Sequence, residues 1–139
     1  MLPVTLDWIG AKQFEATNIE NAKFVMDVKT KGGGSGLYAS PTDHLLAALG
    51  ACSGIDIVSI LAKMRLELKS LRIEVEGEQA ETQPKYFQEI RLKYILGGDG
   101  LDRAKVEQAV LLSQEKYCAV RATLSDKCKV TTEIIIHQS

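Results

Sequence analysis

The chain has 139 residues, 45% of them hydrophobic and 25% charged, with 17 Lys and Arg against 18 Asp and Glu for a formal net charge of -1. That length suffices for one domain that buries roughly 65–70% of the surface its unfolded chain exposes, with no need of disulfide staples. The balanced charge excludes a global basic field that would recruit nucleic acid, and an acidic solvating tail as well. The opening Met1-Leu2-Pro3-Val4-Thr5-Leu6-Asp7 has neither the basic region nor the apolar run of a secretory signal. The expected compartment is therefore the reducing cytoplasm, where the cysteines stay free.

Three short alternating stretches fill residues 1–30: Val4, Leu6 and Trp8, then Phe14 and Ala16, then Phe24, Met26 and Val28. Their period of two predicts a small antiparallel sheet. Residues 31–40 carry four glycines and read as a mobile connector or a loop beside a ligand. No Gly-Lys-Ser/Thr follows, so phosphate cradling is not expected. Ser40-Pro41-Thr42-Asp43 then starts a helix: Ser40 accepts from exposed N–H groups, Pro41 suits the first helical position, and Asp43 stands where a capping-box acid belongs. The helix should run to about Arg65. From Leu45 to Ala62 it is apolar on nearly every side, close to the threshold of about 18 residues for crossing a bilayer. Asp56 near its centre would cost roughly 2.5–3.5 kcal/mol in a membrane. A central helix, covered all round, is expected instead, with no membrane partner.

After Lys69 the period returns to two, with Leu71, Ile73 and Val75 facing inward, and Ile90, Leu92, Tyr94 and Leu96 repeating the pattern beyond a turn over residues 79–85. Gly97-Gly98-Asp99-Gly100 ends that hairpin. Val106, Ala109, Val110, Ser113 and Tyr117 mark one face of a second helix, and Val130, Thr132, Ile134 and Ile136 one face of a closing strand. The order is βββ-α-ββ-α-β, an α+β chain read as a single domain over 1–139 whose helix-strand core occupies 41–139. One sheet cannot surround the central helix, and three short strands cannot make a core of their own. A symmetric homodimer with intertwined elements, its central helices packed on antiparallel sheets, would supply the missing cover.

The chemistry centres on two thiols. Cys52 lies in the most apolar stretch, with Asp56 one helical turn on and Ser59 two turns on, so a polar stripe crosses an otherwise buried helix. Cys118 follows the second helix in Glu-Lys-Tyr-Cys-Ala-Val. Cys128, between charged residues in Ser-Asp-Lys-Cys-Lys-Val, reads as an incidental exposed thiol. Asp56 needs a partner, either the Cys52 thiol or Lys63 down the helix, and Arg121 reads as a solvated surface cation. With no Cys-x-x-Cys element and with His44 and His137 isolated in sequence, no metal site is expected, and no cofactor motif is present.

Trp8-Ile9-Gly10, Ser40-Pro41-Thr42-Asp43, Ala48-Leu49-Gly50-Ala51-Cys52-Ser53 and Glu115-Lys116-Tyr117-Cys118 together resemble the OsmC/Ohr superfamily over nearly the whole chain, closest to its YhfA-like branch. The resemblance implies an intertwined α+β homodimer with interfacial sites that reduce organic hydroperoxides. In that scheme Cys52 is the attacking thiolate, Cys118 the resolving thiol, a dithiol the reductant, and Asp43 a further site candidate, all without a cofactor. Members close to Ohr place a glutamate directly after the helix-starting proline and use an N-terminal arginine. Here Thr42 follows Pro41, the acid comes one residue later as Asp43, and Lys12, Lys23, Lys29 and Lys31 are the only Lys or Arg before Cys52. A lysine is a point charge where arginine is a planar fork. The competing expectation is a non-enzymatic dimeric binding or redox-sensing module with an apolar interfacial groove.

Overall fold

A computed structural model describes residues 1–138, and the chain divides into two units, Met1–Leu45 and Leu46–Ser139. In the first unit β1 (Val4–Gly10), β2 (Gln13–Asn18) and β3 (Lys23–Met26) form an antiparallel sheet in sequence order. Register places Leu6 opposite Ala16 and Trp8 opposite Phe14, with Ala16 and Phe14 in turn opposite Phe24 and Met26. The alternating apolar residues thus share one face, as their period requires. Ala16 on that face is fully buried, while Leu6, Trp8, Phe14 and Phe24 are exposed.

The glycine-rich segment includes a loop hydrogen-bonded to Asp27. Asp27, 3% exposed, gathers it: its carboxylate accepts from the backbone N–H of Ser35 at 3.0 Å and of Val28 at 2.7 Å, from Ser35 Oγ at 3.1 Å, and from Gln13 Nε2 at 3.2 Å. The Ser35 N–H leads in holding this carboxyl below the ordinary aspartate value, against the opposing effect of burial. Gly34 has to be glycine because a Cβ there would collide with the Val28 carbonyl.

Helix α1 (Pro41–Lys63) opens on the capping box read from the sequence. Ser40 N–H donates to Asp43 Oδ2 at 3.0 Å, and Asp43 N–H donates back to Ser40 Oγ at 3.3 Å. It closes on Arg65, whose φ of 60° is left-handed; Leu66 N–H reaches Leu61 O and Arg65 N–H reaches Ala62 O, both at 3.0 Å, a Schellman ending without the usual glycine. By length and composition α1 is apolar enough to cross a bilayer, a test that core helices of soluble proteins also pass.

In the second unit β4 (Ser70–Gln79), β5 (Phe87–Gly98) and β6 (Lys129–Gln138) form a sheet in that order. Val75, Leu92 and Thr132 align across it, as do Ile73, Tyr94 and Ile134, so the three alternations coincide on one face. Leu49, Ile57 and Leu61 of α1 join Ile90, Leu92, Tyr94 and Leu96 in the core. Gly50 and Gly54 face β4, where added Cβ atoms would crowd Val75 and Ile73. All-round cover is not supplied by this chain, since Ile55 and Val58 remain 68% and 50% exposed.

The α+β order βββ-α-ββ-α-β is the one found, with two corrections. First, β6 runs parallel to β5, so the second sheet is mixed and not wholly antiparallel. The long crossover between the two strands permits the parallel pairing that a tight turn would forbid. Second, the helix after β5 is broken: α2 (Arg103–Leu112) passes into a π turn (Ser113–Tyr117), and after Cys118 a short α3 (Ala119–Thr123) follows. Asp102 caps α2 by accepting from Ala104 N–H at 3.0 Å.

Candidate functional site: a paired thiol and a buried hydroxyl network

Cys52 sits on the middle of α1, partly exposed, and Cys118 is buried at 2% exposure; both are free thiols. The π turn is what aims Cys118. In an α-helix Tyr117 would fall beneath Ser113, but here Cys118 N–H bonds the Ser113 carbonyl at 2.8 Å, five residues back. Residue 118 therefore takes the inner face and Tyr117 turns out, 52% exposed, where simple helical spacing had put it inside. Cys118 also caps α3, its Sγ accepting from Arg121 N–H at 3.3 Å.

Cys52 lies near enough to Cys118 to raise its thiol. The Cys118 thiol is pushed up to about 11, first by burial and then by the neighbouring Cys52 and the Asp56 charge, with the Arg121 N–H opposing. At neutral pH it is a protonated thiol.

Beneath them lies a network of polar groups. Ser53 Oγ and Tyr94 Oη are 2.7 Å apart, and Gln114 Nε2 donates to each at 3.2 Å. Ser113 Oγ lies 3.0 Å from Ser53 Oγ and donates to Asp56 Oδ2 at 2.8 Å. Ser53, Tyr94 and Ser113 are fully buried, and burial raises the Tyr94 phenol above its ordinary value. Sequence reasoning assigned Tyr94 and Ser113 only to apolar faces. The signal was there, because each is a hydroxyl in an otherwise apolar stripe and a buried hydroxyl needs a partner.

Asp56 bonds Ser113 and forms no ion pair with Lys63, yet both line a cleft of about 450 Å³ with Ser59, Ile60, Met64, Leu112 and Tyr117. Cys128 is corrected from exposed to buried, at 7%, with its thiol raised by burial and lowered by Arg121. The charged residues flanking it misled the reading, because alternation at a strand entrance lets one side chain turn in while its neighbours turn out. Arg121 is half-buried and lines a second cleft of about 350 Å³ with Glu107, Gln114 and Glu115.

Asp43 belongs to the first unit. Its carboxylate accepts from Lys29 Nζ at 2.8 Å and from Ser40 Oγ at 2.9 Å, and the Lys29 bond leads in lowering it to about 2. Of the four early lysines, Lys29 serves Asp43, Lys23 pairs with Glu15 at 3.5 Å, and Lys12 lines an apolar hollow with Leu6, Phe14 and Met26. Among the described residues no three His, Cys, Asp or Glu side chains gather as a metal site.

The second unit is thus an α+β scaffold that holds free thiols at Cys52, Cys118 and Cys128 and a buried hydroxyl network at Ser53, Tyr94 and Ser113. The model of the OsmC-like protein family matches residues 32–133, and the chain belongs to that family. Protein YhfA of Escherichia coli strain K12 is 36% identical over 125 residues, 89% of this chain and 90% of that protein. A hypothetical protein from Aquifex aeolicus VF5 is similar at a TM-score of 0.82 and 32% identity, over 99% of this chain and 98% of its own. The organic hydroperoxide resistance protein OhrB of Bacillus subtilis shares the fold at a TM-score of 0.62 and 19% identity, over 96% of this chain and 97% of its own.

Proposed function

We propose that this protein is a cytoplasmic thiol peroxidase that reduces small organic or lipid hydroperoxides through Cys52 and Cys118, with a dithiol as reductant. The observation that carries the reading is the pairing of two free thiols of unequal burial in one unit. Cys52 is the reachable one. Cys118, held protonated, does not compete with it for peroxide. The Cys52 thiolate attacks the O–O bond, the alkoxide leaves and is protonated to the alcohol, and Cys52 becomes a sulfenic acid. Cys118 then displaces hydroxide, released as water, to form the disulfide, and an external dithiol restores both thiols by exchange. The name of the Bacillus subtilis protein, organic hydroperoxide resistance, agrees with this chemistry.

The active form in this reading is a homodimer. Support comes from the apolar surface each unit leaves open: Leu6, Trp8, Phe14 and Phe24 in the first, Ile55, Val58 and Leu111 in the second.

Peroxide consumption by Cys52→Ser and Cys118→Ser variants tests the assignment, with cumene hydroperoxide as substrate. Cys52→Ser should consume none, because a serine hydroxyl is not ionised at neutral pH. Cys118→Ser should reduce about one equivalent and then accumulate sulfenic and sulfinic acid at Cys52. Full activity in both variants, or none in the intact protein with any dithiol, would overturn the reading in favour of a dimeric binding or sensing module.

A further inference from the structure

Closing the disulfide raises a problem that the two thiols do not solve alone. Cys118 must lose a proton as its sulfur attacks, yet its surroundings hold that proton tightly. We propose that Asp56 is the base that takes the Cys118 proton when Cys118 closes on oxidised Cys52; the proposal rests on the two-thiol peroxidase reading. Asp56 stands one turn after Cys52 on α1. Its carboxylate is fixed by Ser113 Oγ at 2.8 Å, and the carbonyl of the same Ser113 accepts the Cys118 N–H at 2.8 Å. One residue therefore holds both the base and the backbone of the thiol it serves. On its other side Asp56 lines the cleft of about 450 Å³, which gives the carboxylate access to solvent protons. Inward, the chain Ser113, Ser53, Tyr94 ties it to buried hydroxyls. No Lys or Arg nitrogen sits within ion-pair distance of it among the described residues, so Ser113 is its hydrogen-bond partner there and no cation is. The titratable groups facing this region are Cys52, Cys118, Tyr94, Tyr117 and Lys63.

The step balances. The Cys118 sulfur pair forms the S–S bond, the Cys52 S–O bond breaks, and hydroxide departs. Asp56 accepts the thiol proton and passes it to that hydroxide, which leaves as water, so the carboxylate ends ionised as it began. The oxidant is the Cys52 sulfenic acid made by the hydroperoxide.

Asp56→Asn separates this role from its electrostatic opposite. Asparagine keeps an acceptor for Ser113 but cannot take a proton, and removing a negative neighbour would by itself make Cys118 easier to ionise. In single turnovers with cumene hydroperoxide, dimedone trapping follows the sulfenic acid and mass mapping follows the Cys52–Cys118 link. The loss should sit in closure, slowed about tenfold or more at neutral pH and rising about tenfold per pH unit, whereas the intact protein should close at a nearly pH-independent rate between about pH 6 and 9. Asp56→Glu should recover most of the rate. Closure by the Asn variant as fast as or faster than the intact protein would overturn the proposal, and so would equal slowing of both steps. If Asp56→Asn does not fold, Ser113→Ala removes the anchor and should slow closure about threefold or more; unchanged closure overturns the proposal. Failure of the intact protein to form Cys52 sulfenic acid or to close it with Cys118 would overturn the peroxidase reading and this one together, whereas normal closure that Asp56→Asn does not slow overturns only this one.

Discussion

Alanine at Gly50 should destabilise the second unit, and alanine at Gly54 should leave it nearly unchanged, although both glycines lie one turn apart on α1 and face the same strand. Helix propensity favours each change by about 1 kcal/mol. Packing opposes them differently. A Cβ on Gly50 would stand 2.9 Å from Val75 Cγ2 and 3.7 Å from Ile73 Cγ2, and one on Gly54 would stand 2.8 Å from Ile73 Cδ1. Carbon atoms prefer roughly 3.5–4.0 Å, so the short contacts are each under by well over half an ångström. Val75 is β-branched and stiff about χ1, and it is held opposite Leu92 on the next strand, so relief at Gly50 requires the helix or strand to shift, at about 1–3 kcal/mol. Ile73 has a free end: its Cδ1 clears by turning χ2, at about 0.5–1.5 kcal/mol. The balance is a loss of about 1 kcal/mol for Gly50→Ala and about zero for Gly54→Ala. Urea denaturation followed by far-ultraviolet circular dichroism measures both. A Gly50→Ala variant as stable as the parent, or a Gly54→Ala variant less stable than Gly50→Ala, would refute the argument from the stiffness of the neighbour.

Arg65→Gly should raise stability by about 0.5 kcal/mol, because glycine removes the left-handed strain of a side chain at φ 60° and loses only part of that gain to the more flexible unfolded chain; a thermal melt reads the sign. The Asp43 carboxyl, at about 2 in the folded chain against an ordinary 3.8, stabilises the folded state in its ionised form. Its contribution should be complete above about pH 4 and disappear as the pH falls toward 2. Asp43→Asn should flatten the acid limb of the stability curve in that window, and salt should shrink the difference because the Lys29–Asp43 pair is about half exposed.

The strand faces were legible because burial and alternation coincide: Ile90, Leu92, Tyr94 and Leu96 all face the core as their spacing predicts. The capping box was legible for the same local reason, since Ser40 and Asp43 need only each other. Direction was not, because a period of two fixes which face a strand buries and says nothing of which way it runs; β6 turned out parallel to β5. The inward turn of Cys118 was hidden by the π turn, which changes the repeat for five residues and exchanges Tyr117 for its neighbour. The role of Asp27 depends on a loop of glycines whose conformation no periodicity describes. Cys52 and Cys118 as partners came from family resemblance and not from spacing.

The parts of the thiol site come from distant places in the chain: Ser53 meets Tyr94 across 41 residues and Ser113 across 60. Contacts of that span cost loop-closure entropy before they form, as does the parallel pairing of β5 with β6 across its long crossover. Until then the nearest thiol to Cys118 along the chain is Cys128 and not Cys52. Closing the shorter loop is favoured by about 1.7 kcal/mol of chain entropy, so oxidation of an unfolded chain favours joining Cys118 to Cys128. Folding reverses the preference by burying Cys128 in the core and turning Cys118 toward α1. Reducing conditions during folding should therefore favour the proposed Cys52–Cys118 pair over the local one, so the order of events matters as much as the final geometry.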